Sequence, residues 1–193
     1  MSEWLVGMWM NMTNERIYKK WPMGFVQGLL INSGMFDNQP LLDLVTDVLH
    51  KAGKIYKALI VGSVDANTGN YVTFSEKDTA FEDLPTAVVS SASIPFVFPH
   101  RVFKNHTLMD GGTVWNLNLV SAIQRCREMV DDDSKIVIDV ISCSRTFKST
   151  ANHTDNSLGN VLKWWDIKSY NSHMRNVYEV QMAYPKVQYR YFF

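Results

Sequence analysis

With 193 residues, 46% of them hydrophobic, the chain is long enough for one domain with a sizeable core and too apolar to be disordered. Nineteen Lys and Arg balance nineteen Asp and Glu, so no net charge recruits nucleic acid or an anionic membrane. The longest basic run, Lys19-Lys20, reads as a solvated face. Cys126 falls on a predicted helix and Cys143 near a strand end, with no CxxC or Cys/His spacing. Two reduced thiols in an intracellular protein are expected, rather than a disulfide. The five histidines, His50, His100, His106, His153 and His173, show no metal-ligand spacing, and no zinc site is expected. Asp131 to Asp133 lacks the spacing and glycine of a calcium loop.

Trp4 to Met12 reads as an apolar helix, followed by a charged segment to Lys20. It has no basic start and no small-residue cleavage site, so no signal peptide is expected, and it is too short to span a bilayer. A buried face is the expected role of Trp4, Met8 and Trp9, with peripheral membrane contact the alternative. Trp21-Pro22 breaks the chain, and Gly28 to Asp37 reads as loop. A helix follows, with Asn38 as its cap, Pro40 in its first turn, one buried face of Leu41, Leu44, Val45, Val48 and Ala52, and Gly53 as its stop.

Lys57 to Val64 is a near-continuous apolar run, as in a buried strand. Asn67-Thr68-Gly69 turns it into a second strand at Tyr71 to Phe74. Leu84 to Ser91 is a short helix with proline in its first turn. Beyond Leu119 a helix runs to about Val130, with Leu119, Ile123, Cys126 and Val130 on one face. Lys135 to Ser142 is another buried strand, with Asp139 as a lone acid read as a core or strand-end group. Thr146 to Asn156 is polar loop, and a long helix starts at Ser157 with Trp164 and Trp165 expected in the core. Val187 to Phe193 alternates like a strand. No repeat or linker divides the chain, so one domain over residues 1–193 is expected.

The chemistry concentrates in Ser91 to Leu119. Pro95 and Pro99 cannot sit inside a helix, so one ends near Ser93 and an extended turn carries Phe96 and Phe98. Leu108-Met109 then lead into Asp110-Gly111-Gly112, a carboxylate at a strand tip beside glycines that allow another backbone or a ligand to come close.

This pattern resembles the patatin-like phospholipases and acyl hydrolases. SSASIPFVFP, LMDGG and Asn116-Leu117-Asn118-Leu119 match the family's helix end, Asp-Gly-Gly element and Asn-Leu-Pro-like turn in order and spacing. A looser likeness runs from about Trp21 to Tyr191. The resemblance implies a three-layer α/β/α fold with a mainly parallel central sheet, incomplete here on its N-terminal side. It implies lipid acyl-ester hydrolysis by a serine–aspartate dyad without cofactor, with Asp110 as general base and Gly111 and Gly112 shaping the turn. Phe96, Phe98 and Trp115 are candidates for the wall of an acyl site, with core packing the plainer role for at least two of them. An intracellular protein, cytoplasmic or at a membrane periphery, is expected.

The chain departs from the family at the nucleophile. No pair of its glycines brackets a serine as Gly-x-Ser-x-Gly, Gly62-Ser63 lacks the partner glycine, and no Gly-rich oxyanion loop is present. Ser90, Ser91 and Ser93 belong to a helix end rather than a strained elbow. Inactivity of the chain alone is therefore expected. Three explanations stand side by side: a fragment of a longer protein, half of a split enzyme whose partner chain supplies the serine and the missing strands, and a non-catalytic scaffold of the same fold. A nucleotide-binding domain is excluded for want of a glycine-rich phosphate loop.

Overall fold

The computed structural model describes residues 2–141 and 156–192. Cys143, His153 and most of the loop expected from Thr146 lie outside them. The chain forms two compact units, Met1–Val114 and Trp115–Phe193.

In the first unit, α1 (Ser2–Met10), α2 (Asn14–Ile17) and α3 (Gly24–Leu30) precede α4 (Gln39–Ala52), and the two-residue strands β1 (Lys19–Lys20) and β2 (Phe36–Asp37) pair with each other. Part of the expected loop from Gly28 is thus the end of α3 and the strand β2. Proline lies in the first turn of α4, and Gly53 ends it with φ 73° and an N–H bonded to Leu49 O. The Asn38 side chain does not cap α4, because its amide is committed elsewhere. Ala52 is exposed. Trp4 and Trp9 are also exposed, contrary to the expected buried face, since nothing among the described residues covers that side of α1.

A four-stranded sheet follows, in the order β4-β3-β6-β5, from β3 (Ile60–Asp65), β4 (Tyr71–Ser75), β5 (Arg101–Phe103) and β6 (His106–Asp110). Every pairing in it is antiparallel, whereas the family resemblance led us to expect a mainly parallel sheet. The connections explain two of the three pairings, β3 with β4 and β5 with β6. The turn at Asn67 to Gly69 and the two-residue loop Lys104-Asn105 are too short for the crossover a parallel pair requires. Lys104 and Asn105 both have positive φ, 46° and 64°, the conformation that matches a two-residue turn to twisted strands. Helix α5 (Leu84–Ser91) covers the sheet and buries Ala87 with Phe74 and Leu108.

The second unit contains α6 (Leu119–Arg127), β7 (Val137–Val140), α7 (Ser157–Ala183) and β8 (Gln188–Phe192), with β7 and β8 parallel. Leu119 and Ile123 enter a core with Ile136, Ile138, Val140, Val177 and Val187, and Cys126 and Val130 pack against it. The face expected for α6 is the one buried. Strand β7 is buried on one side only. Its Asp139 is exposed and takes both Arg190 Nε and Nη2, at 2.8 and 2.6 Å, beside a register shift between Ile138 and Asp139. Trp164 and Trp165 are 54% and 64% exposed, not core, and Lys168 Nζ lies 5.1 Å from the centroid of the Trp164 ring.

Candidate active site

Asp110 is the last residue of β6. Its backbone N–H donates to Ser93 O at 3.0 Å, tying the strand end to the turn after α5. Its Oδ1 accepts from Gly112 N at 2.6 Å and so caps a single 3₁₀ turn over Gly111–Thr113. Burial pushes the carboxyl above the ordinary aspartate range, and the Gly112 N–H pulls it part of the way back. The result is a half-buried, oriented carboxyl whose proton affinity is raised toward that of a working base.

Gly111 is required by space rather than by φ, since a Cβ there would meet the Gly62 carbonyl on β3. The SIPFVFP segment lies along residues 34–36. Met35 N donates to Phe96 O and Phe36 N to Val97 O, both at 3.0 Å. Gly34 allows this approach, because a side chain there would strike Phe98 and Pro99. Phe96 adopts φ 72° and leaves its ring 64% exposed, while the Phe98 ring is half-buried beside Tyr18. Trp115 belongs to the second unit, where it lines a cavity of about 230 Å³ with Leu117, Val120, Val180 and Tyr184.

The serines near Asp110 divide by their hydrogen bonds. Ser90 Oγ donates to Thr86 O at 2.7 Å and Ser93 Oγ to Val89 O at 2.8 Å, so both hydroxyls are spent on helix carbonyls. Ser63, set aside in the sequence for lacking a second glycine, is the register partner of Asp110 across β3 and β6. It is fully buried in mid-strand, and its Oγ has no hydrogen-bond partner among the described residues. No periodicity in the sequence reveals this pairing, because it depends on the register of strands more than forty residues apart. Among the described residues no group of three His, Cys, Asp or Glu is arranged to hold a metal ion, and no helix is long and apolar enough to cross a membrane.

A family model described as patatin-like phospholipase matches residues 1–123, more than half of the 193. The chain belongs to the patatin-like phospholipase family. The match takes in all of the first unit, including the first twenty residues, which lie outside the likeness noted in the sequence, and it stops within α6. Asp110 lies inside it. As a patatin-like phospholipase, the chain is placed at family level among lipid acyl hydrolases. No curated protein matches the chain.

Proposed function

We propose that this patatin-like chain contributes the aspartate of a serine–aspartate dyad that hydrolyses lipid acyl esters, and that the serine comes from a second polypeptide. The observation that carries this reading is Asp110 itself: a carboxyl at a strand end, oriented by Gly112 N at 2.6 Å and with its proton affinity raised by burial. In the proposed reaction Asp110 takes the proton of the serine hydroxyl as the serine oxygen attacks the ester carbonyl. The alcohol leaves, and water hydrolyses the acyl-serine. Gly111 and Gly112 hold the turn, and Phe96, Phe98 and Trp115 offer apolar surface to the acyl chain. In this reading both units are parts of one three-layer α/β/α domain, and the second polypeptide also supplies its mainly parallel strands. The protein would work inside the cell, at the surface of a lipid phase.

The test is labelling by a fluorophosphonate probe of activated serines. The purified chain alone should show none, since it holds no Gly-x-Ser-x-Gly. Added to a polypeptide that carries this motif, it should produce labelling that Asp110→Asn abolishes. Labelling of the chain alone, or labelling of the pair that survives Asp110→Asn, overturns the reading. A scaffold role is favoured by one observation, the exposed Phe25, Val26, Leu29 and Leu30 on α3, a face suited to covering by another chain. Pairing without labelling would support it.

A further inference from the structure

Asn38 is fully buried, and its amide joins residues far apart in sequence. Its Nδ2 donates to Ser93 Oγ at 3.1 Å, and its Oδ1 accepts from Arg101 Nη2 at 2.7 Å. Ser93 is also fully buried, and its hydroxyl proton goes to Val89 O. The donor count permits only this orientation of the amide. If the amide were turned over, Oδ1 would face a hydroxyl whose proton is already used, and Nδ2 would face the Arg101 guanidinium, donor against donor. A continuous path of hydrogen bonds therefore runs from Arg101 on β5, through Asn38 before α4, to Ser93 after α5. The Ser93 carbonyl then holds Asp110 N at 3.0 Å.

We propose that Asn38 is a positioning residue for Asp110, acting with Arg101 through Ser93 to fix the backbone from which the carboxylate projects. This rests on the reading of Asp110 as the dyad base. The path links β5, the start of α4, the end of α5 and β6. The Asn38 amide and the Ser93 hydroxyl are satisfied in a buried setting, where a lost partner is costly, and Arg101 Nη2, whose neighbouring Nε has no partner among the described residues, depends on the Asn38 oxygen. Burial lowers the proton affinity of the Arg101 guanidinium, and Asp37 and Asp43 offset part of that. What holds the guanidinium at the Asn38 amide is the 2.7 Å hydrogen bond from Nη2. A side chain that only filled the space of Asn38 would leave both Ser93 Oγ and Arg101 Nη2 without this partner.

The test reads Asp110 directly by NMR on the full chain, without turnover. Amide exchange of Asp110 is compared with that of Ala66, whose N–H donates to Thr107 O in the same unit at 2.7 Å. The Asp110 carboxyl is titrated in the same samples. In Asn38→Ala, exchange at Asp110 should rise on the order of tenfold beyond any rise at Ala66, as expected for the loss of one local constraint. The carboxyl titration should move toward that of an ordinary aspartate as the site loosens. Equal changes at both amides, or an unmoved titration, would overturn the proposal. If Asn38→Ala does not fold, Ser93→Ala, which keeps Asn38 and Arg101, decides by the same two readouts. These measurements can fail while Asp110→Asn still silences the complemented enzyme, and can succeed when it does not.

Discussion

Ser63 on β3 stands directly opposite Asp110 on β6. Residues so paired on antiparallel strands share a face, with Cβ atoms about 5 Å apart. A fully buried hydroxyl in mid-strand cannot receive a substrate carbonyl, so this serine is no substitute for an elbow nucleophile. Its unpartnered Oγ instead makes it a site of unrealised stability. Ser63→Ala should leave stability unchanged or raise it by about 1 kcal/mol, since a buried hydroxyl without a partner is destabilising. The midpoint of urea unfolding checks this. A fall of about 1 kcal/mol or more would mean that the hydroxyl is bonded in solution, with Asp110 the acceptor to examine.

Asp110 should oppose folding at neutral pH. Its carboxyl is raised above its unfolded value, so the folded state holds the proton more tightly and stability falls as pH rises through the interval between the two. Asp110→Asn keeps an acceptor for Gly112 N and removes the charge. The variant should therefore melt at a higher temperature than wild type at pH 7, and the gap should close below about pH 3, where the carboxyl is neutral in both states. Melting curves across that range decide it; a variant less stable at pH 7 would contradict the burial argument.

Gly111 should tolerate no side chain. The Cβ of Gly111→Ala would press on the Gly62 carbonyl, which belongs to the backbone of β3 and cannot rotate aside. Overpacking of this kind costs about 1–3 kcal/mol. Chemical denaturation gives the loss, and the Asp110 amide resonance should shift with it. A neutral substitution would show that the turn has room the structure denies.

Trp164 and Trp165 should contribute little to the stability of the chain itself. Both residues are more than half exposed, with the two rings 6.4 Å apart and Lys168 over Trp164. Replacing both by Gln should change the unfolding free energy by less than about 1 kcal/mol, as for surface positions without special partners. A larger loss in denaturant titrations would place the pair in a core.

Much of the local structure was legible because it follows from local physics. Pro40 and Gly53 bracket α4, Asn67 to Gly69 makes the hairpin, Pro85 opens α5, and the Leu119, Ile123, Cys126 period marks the buried side of α6. Asp110 at a strand end could be read from two apolar residues followed by two glycines. Asn38 shows where such reading stops. As a residue before a proline-led helix it looks like a cap, yet the buried Ser93 and Arg101 claim its amide, and neither is near it in sequence.

The sequence by itself determined α4, α5, α6 and the β3–β4 hairpin, the family's Asp-Gly-Gly turn and the lack of a Gly-x-Ser-x-Gly serine, since each depends on neighbours within a few residues. Only the tertiary structure decided that the four-stranded sheet is antiparallel, that Ser63 faces Asp110, that Asn38 reaches Ser93, and that two tryptophans lie at the surface. Those depend on strand register and on which faces meet, and a pattern of hydrophobic periods does not encode the partner that each face will find.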